Sequence, residues 1–175
     1  MSVRPLDWTR DAEDVARIDT SFTADRVYRF GREKGGFGFA FPLLTTTPVT
    51  KSYPLPMDDP GEGAFVAELD GAIAGFAQVA PPAWNGRAVV PHLYVSAPAR
   101  GRGLGGALVE ALAEQAGAAG ARCLWLETQN VNYPAIQFYL AHGFYLCGFD
   151  ESFYDPLELP GEFAFFFSRP LLGAL

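Results

Sequence analysis

The stretch Arg100-Gly101-Arg102-Gly103-Leu104-Gly105-Gly106 restricts this chain most, because the hydrophobic period changes across it. Upstream the signals are those of antiparallel strands. Residues 64–69 read as a strand, Asp70-Gly71 as a hairpin turn and residues 73–79 as the return; Asn85-Gly86 is a second such turn, leading into residues 88–95. Downstream, Leu104, Leu108, Ala111, Leu112 and Gln115 recur at helical spacing and predict one apolar helix face. A glycine-rich junction between strand and helix lets backbone N–H groups approach a ligand closely, and the helix start adds partial positive charge. Arg100 and Arg102 stand ready to pair with further oxygens, so a diphosphate ligand fits the stretch.

The remaining pattern predicts an α+β fold. Residues 3–6 read as a first strand, with Thr9 as N-cap of a helix over 11–20. Residues 21–57, with Gly35-Gly36, Thr45-Thr46-Thr47 and several prolines, read as loops, with room for a short helix, presenting a substrate-facing surface. Residues 123–126 form a short buried strand, Pro134 opens a helix to about His142 that Gly143 closes, and residues 144–149 and 163–167 supply the last strands. The sum is a mixed, mostly antiparallel central sheet flanked by helices. With 175 residues and no internal repeat or linker, the expectation is one domain over 1–175.

Composition narrows the function. Hydrophobic residues make up 49% and charged residues 19%, as in a folded globule. A formal net charge of −7 argues against a nucleic-acid partner and would draw in a cationic substrate, such as a polyamine or an amino-bearing antibiotic. The same charge serves equally to keep an ordinary acidic protein in solution. No apolar run approaches the roughly 20 residues of a membrane span, and the start lacks the apolar run of a secretory signal. Cys123 and Cys147 stand singly in apolar segments, which predicts two core thiols in a reducing cytoplasm and, with only two histidines, no metal site.

Gly101, Gly103 and Gly106 also satisfy the dinucleotide fingerprint G-x-G-x-x-G, and Glu127 falls about 20 residues on, where a ribose-binding acid would stand. Two features count against a nicotinamide or flavin. Ser96-Ala97-Pro98-Ala99-Arg100 separates the strand from the glycines, and too little chain follows Gly106 for a doubly wound sheet.

Two motifs together carry a family resemblance. Arg100-Gly101-Arg102-Gly103-Leu104-Gly105 matches the [QR]-x-x-G-x-[GA] pyrophosphate loop of GNAT acetyltransferases. Asn132-Tyr133-Pro134-Ala135-Ile136-Gln137-Phe138-Tyr139, followed by Gly143-Phe144, matches their second signature, N-x-x-A-x-x-[FL]-Y…G-F. Within that superfamily, Ser21-Phe22-Thr23, Thr50-Lys51-Ser52-Tyr53-Pro54, Leu124-Trp125-Leu126-Glu127, Asn130-Val131-Asn132, Leu146-Cys147-Gly148-Phe149-Asp150 and Phe153-Tyr154-Asp155 resemble streptothricin acetyltransferases, which confer antibiotic resistance. One stretch departs from that group. Where its members carry an acidic pair before the glycine loop, this chain has Pro91-His92-Leu93-Tyr94-Val95.

The resemblance implies an acetyl-CoA-dependent N-acetyltransferase in which a small-molecule amine attacks the thioester directly, with no acyl-enzyme. It assigns the diphosphate to Arg100, Gly101, Arg102, Gly103, Leu104, Gly105 and Gly106. Backbone N–H groups of Leu93, Tyr94 and Val95 would face the pantetheine arm and thioester carbonyl, as oxyanion-type stabilisation. Asn132 and Ala135 would complete the cofactor contacts, although Asn132 also stands where a helix cap would. Tyr139 would protonate the departing thiolate or hydrogen-bond its sulfur. An alkyl ammonium must lose a proton, so a base is expected. Glu127, at the C-terminal end of its strand, is the first choice, with Asp150, Glu68 and His92 behind it; a substrate-holding role for Glu127 stays equally open. Trp84 and Tyr154 are candidates to line the acceptor site. Acetylation of a polyamine, another small amine or a peptide N-terminus, a CoA-binding sensor without catalysis, and a homodimer through the terminal strands are compatible with the same residues.

Overall fold

The computed structural model describes residues 1–35 and 37–171, so Gly36 of the Gly35-Gly36 signal lies outside the described residues. In chain order the elements are β1 (Ser2–Pro5), α1 (Trp8–Val15), β2 (Phe22–Tyr28), β3 (Gly31–Arg32), β4 (Phe39–Ala40), β5 (Leu43–Lys51), β6 (Ala64–Leu69), β7 (Ala72–Gln78), β8 (Arg87–Val89), β9 (His92–Val95), α2 (Leu104–Ala118), β10 (Cys123–Gln129), α3 (Tyr133–Ala141), β11 (Tyr145–Asp150) and β12 (Ala164–Pro170). A single turn of 3₁₀ helix, Ala97–Ala99, stands between β9 and α2. Two four-stranded sheets have the orders β1-β6-β7-β9 and β11-β12-β10-β8, and two-stranded ribbons pair β2 with β5 and β3 with β4. The chain divides into two compact units.

The first unit comprises Met1–Ser21, Ser52–Leu126 and the chain from Ser168 onward. Its core gathers Val15, Ile18, Ala64, Val66 and Phe76, with Leu6, Trp8, Leu55, Ile73 and Tyr94 packed against them. Strands β6 and β7 are joined at the expected Asp70-Gly71 turn and pair antiparallel, with a register shift between Ala67 and Glu68. Helix α2 buries Leu104, Leu108, Val109, Leu112 and Ala116. Val109 and Ala116 thus take the buried places expected of Ala111 and Gln115. The helix can lie close because β7 carries Gly75, where a Cβ would come 3.0 Å from Leu108 Cδ1 and 3.2 Å from the Tyr94 carbonyl oxygen.

Expected residues 88–95 are two strands, not one. Strand β8 pairs parallel with β10, Cys123 opposite Arg87, and the Val90 N–H still donates to the Trp125 carbonyl at 2.8 Å. Pro91, which has no N–H to give, follows, and β9 then pairs with β7, His92 opposite Gln78. The expected meander therefore loses β8 to a parallel pair.

Helix α1 starts earlier than expected and is shorter. Asp7 is its N-cap in place of Thr9, and the helix ends at Val15 instead of Thr20. Asp11, only 2% exposed, accepts from the Asp7 N–H at 3.0 Å, from Arg4 at 2.6 and 3.0 Å and from Arg10 at 2.8 Å, which ties the first turn to β1. Arg4 above all, then Arg10, hold its carboxyl well below the usual carboxylate range. That stabilisation is complete above the unfolded value near pH 4 and is lost as pH falls toward the folded value, so it persists into strong acid. The arginines left behind are partly exposed and regain water, so removing the carboxylate loses charge-assisted hydrogen bonds worth about 1.5–3 kcal/mol. Asp11→Ala is expected to lower the melting temperature at neutral pH by roughly 5 °C, read by calorimetry; a change near zero would contradict the network's role.

The second unit comprises Phe22–Lys51 and Glu127–Phe167. Residues 21–57, expected as loops, instead hold β2 to β5. Strands β2 and β5 pair antiparallel from Phe22 opposite Lys51 to Tyr28 opposite Leu43, with an irregularity between Ala24 and Arg26. The reason lies in residue type. Phe22, Ala24 and Val27 turn inward from β2, and the threonines of β5 are β-branched strand formers, exposed at Thr45, Thr47 and Thr50 and partly buried at Thr46. Pro48 is tolerated because a two-stranded ribbon leaves one side of β5 without ladder partners.

Phe30, Phe41, Phe149, Phe163 and Phe165 form an aromatic cluster with ring centroids 4.9–6.2 Å apart. Cys147 is exposed, contrary to expectation, because β11 ends the order of its sheet; Cys123 is buried as expected.

Candidate active site

The first unit holds the glycine loop. Gly101 and Gly103 take left-handed φ of 76° and 85°, and Gly103 is the N-cap of α2 without any side-chain cap bond. Gly101, Arg102 and Gly103 are exposed, while Leu104 anchors the helix start in the core. Exposed left-handed backbone ahead of a 15-residue helix gives N–H groups and a positive helix end to an anion. The two arginines differ. Arg100 turns inward, its Nε donating to the Val95 carbonyl at 3.0 Å and its Nη2 to that of Asp19 at 3.5 Å, and so pins the loop to β9. Arg102 is exposed and lies 3.7 Å from Asp70.

Leu93, Tyr94 and Val95 lie on β9, the terminal strand of the order β1-β6-β7-β9, all partly buried. That terminal edge is where strand N–H groups can serve a ligand instead of a ladder. Tyr94 stacks on Tyr53 with centroids 6.3 Å apart. His92 contacts the rings of Phe76 and Tyr94, burial pushes its pKa down, and its buried Nδ1 has no hydrogen-bond partner among the described residues. Glu68 is committed to Arg4 at 2.7 Å. Trp84, in the turn before β8, is 97% exposed and so stands as a surface aromatic.

The second unit holds the other predicted residues. Glu127 lies within β10, two residues before its end and not at its end as expected. It is half-buried. Tyr154 donates its hydroxyl to Glu127 Oε1, so the structure brings together two residues 27 positions apart. Burial pushes the Glu127 carboxyl up, and the Tyr154 bond partly opposes this. Asp150 is instead tied to Ser152, whose hydroxyl and N–H donate to Oδ1 and hold its pKa down.

Tyr139 points into the unit, 9% exposed, with the rings of Phe138, Phe144 and Phe167 at 5.7–5.8 Å. Asn132 caps α3, its Oδ1 accepting from the Ala135 N–H at 3.3 Å. The cap alternative for Asn132 is therefore real, and it employs Ala135 as the donor.

Two features escaped the sequence reading of roles. Asn130, with 0% exposure, donates to the Tyr28 carbonyl at 2.8 Å and accepts from the Phe163 N–H at 3.0 Å, sewing the end of β10 to β2. Lys51 pairs with Glu162 and lies 3.4 Å from Gln129. Both stand in segments that carry the family resemblance, Asn130-Val131-Asn132 and Thr50-Lys51-Ser52-Tyr53-Pro54, which gave them no role of their own.

Among the described residues no three His, Cys, Asp or Glu side chains are grouped to hold a metal, and no helix is long and apolar enough to cross a membrane.

With this geometry in place, the comparisons with known proteins are decisive. The model of the acetyltransferase (GNAT) family matches residues 37–144. The chain belongs to the GNAT acetyltransferase family. It is an acetyl-CoA-dependent N-acetyltransferase. This GNAT enzyme is 38% identical to streptothricin acetyltransferase of Streptomyces lavendulae, over 91% of its own length and 90% of that protein's. It is 30% identical to streptothricin acetyltransferase A of Bacillus subtilis over 63% of each chain. The fold matches a crystal structure of nourseothricin acetyltransferase with TM-score 0.85 and 40% identity, covering 97% of this chain and 98% of that one. It also matches a Bacillus anthracis structure, assigned as a streptothricin acetyltransferase and solved with acetyl coenzyme A, with TM-score 0.82, 26% identity and the same coverage. The GNAT membership accounts for the glycine loop, the Asn132 to Tyr139 signature and the mixed sheets with their flanking helices, and it excludes the dinucleotide alternative.

Proposed function

We propose that this enzyme acetylates an amino group of streptothricin or a closely related cationic antibiotic, as one acetyltransferase domain working in the cytoplasm, where acetyl-CoA is made. The observation that carries this reading is the 38% identity to the Streptomyces lavendulae enzyme across nine tenths of the chain, well beyond the shared CoA-binding core. The net charge of −7 suits a cationic acceptor.

In this reading, acetyl-CoA supplies a thioester whose carbonyl is open to an amine. The N–H groups of Gly101, Gly103, Leu104, Gly105 and Gly106 and the Arg102 guanidinium hold the diphosphate, with Arg100 fixing the loop. N–H groups of Leu93, Tyr94 and Val95 hold the pantetheine arm and the charge that grows on the carbonyl oxygen. Asn132 keeps the first turn of α3 formed and, with Ala135, borders the pantetheine. Trp84 and Tyr154 border the acceptor.

Freeing an alkyl ammonium of its proton near neutral pH costs about 4–5 kcal/mol. Glu127 serves as the base, and burial raises its affinity for that proton. Tyr139 protonates the departing thiolate. That sulfur leaves readily, so the general acid is asked for a modest contribution.

The test is incubation with acetyl-CoA and streptothricin, followed by mass spectrometry for a product heavier by one acetyl group. Tyr139→Phe is expected to lower kcat roughly tenfold with KM for acetyl-CoA changed less than about twofold. No acetylated antibiotic, or an unchanged kcat in the variant, would contradict the respective parts of the proposal.

A further inference from the structure

The segment joining β11 to β12 is built around one side chain. Asp150 closes a turn by accepting from the Ser152 N–H and hydroxyl, each at 2.8 Å. Asp155 closes the next, accepting from the Leu157 N–H at 2.8 Å. Between these two fixed points, Phe153 wedges edge-on against Phe166, centroids 5.7 Å apart, and against the Tyr154 ring at 5.1 Å. Tyr154 therefore arrives at Glu127 on a braced support, and its hydroxyl donates to Oε1.

No other donor to the Glu127 carboxyl is found among the described residues. Burial pushes the Glu127 carboxyl up and the Tyr154 bond partly opposes this.

We propose that Tyr154 is a positioning residue for Glu127, its hydroxyl occupying Oε1 so that Oε2 is the oxygen presented to the acceptor amine. This rests on the reading of Glu127 as the base. In the step itself, an N–H bond of the acceptor ammonium breaks and the proton passes to Oε2. The electron pair stays on nitrogen, which forms the new bond to the thioester carbon; the C–S bond then breaks, the sulfur leaves with its electron pair and takes the proton of Tyr139, and the second proton lost by nitrogen restores Tyr139. Tyr154 keeps its own proton throughout. Its bond also favours the ionised carboxyl against the burial that disfavours it, so losing the hydroxyl leaves a base that is protonated over a wider pH range.

The test is the pH dependence of kcat/KM for the acceptor, measured for the wild type, Tyr154→Phe and Glu127→Gln. For Tyr154→Phe the acid limb is expected to move up by about one pH unit, which is roughly tenfold lower activity at a pH below the limb; the loss is smaller on the high-pH plateau, where it reports the ring's contact with the acceptor. An acid limb that stays at the wild-type pH, whether the loss is uniform or falls on the acceptor KM, would leave Tyr154 as an acceptor-lining or structural residue alone and overturn the proposal. Glu127→Gln separates the two readings. If it abolishes the acid limb while Tyr154→Phe leaves the limb in place, only the role of Tyr154 falls. If it keeps the wild-type limb, Glu127 is not the base and both fall.

Discussion

Glu127→Gln lowers kcat/KM for the acceptor by about a hundredfold or more at neutral pH, the range expected on losing a general base. The same change is expected to raise the melting temperature at that pH. The second expectation follows from the direction of the Glu127 shift. Burial makes the folded state hold the Glu127 proton more tightly than the unfolded chain does. A carboxyl with a raised folded pKa contributes stability below its unfolded value, near 4.3, and loses it as pH rises through the folded value. At neutral pH the ionised side chain is therefore a cost that the neutral amide removes, while an amide oxygen can still accept from Tyr154. At pH 4 the gain disappears. Steady-state kinetics and calorimetry on one preparation check both. A variant with wild-type turnover would contradict the assignment of Glu127, and a lower melting temperature at neutral pH would contradict the account of its burial.

Gly103→Val is expected to act on the other substrate. Gly103 holds a φ of 85°, and a Cβ there would meet nothing nearer than Met1 Sδ at 4.0 Å, so crowding is not the obstacle. The obstacle is conformation, since a β-branched residue in left-handed backbone carries a strain of about 1–3 kcal/mol. Relieving it re-aims the first N–H groups of α2, the ones that face the diphosphate in our account. The affinity for CoA should then fall between about fivefold and a hundredfold. With acetyl-CoA saturating, kcat should stay within about threefold of wild type, because the amine and thiolate steps are left in place. Calorimetric titration of CoA gives the first quantity and saturation kinetics the second. Unchanged CoA affinity would contradict the role given to the loop.

How legible these features were in the sequence depended on the range over which each is specified. The start of α2 at Leu104 and the strand β6 were legible because period and glycine punctuation are local signals. So was α3, opened by Pro134 and closed ahead of Gly143. Strands β2 and β5 were hidden because a threonine-rich, proline-bearing run looks like loop until its partner is known, and that partner lies about 20 residues away. The short α1 followed from Asp11, whose arginine partners fix where the first turn begins.

In the site, Glu127 and Tyr139 could be named by motif, but their surroundings could not. The bond between Glu127 and Tyr154 depends on a turn built by Asp150 and Asp155 and on the wedge of Phe153. Each is a contact between residues whose nearness the fold creates. Cys147 makes the same point in reverse, since its apolar neighbours predicted burial and the terminal position of β11 exposes it.

The most direct test of the central claim is the release of CoA thiol from acetyl-CoA in the presence of streptothricin. The account predicts rapid release that requires both compounds and the intact enzyme, matched mole for mole by acetylated antibiotic. Release with a polyamine or peptide amine but none with streptothricin would contradict it.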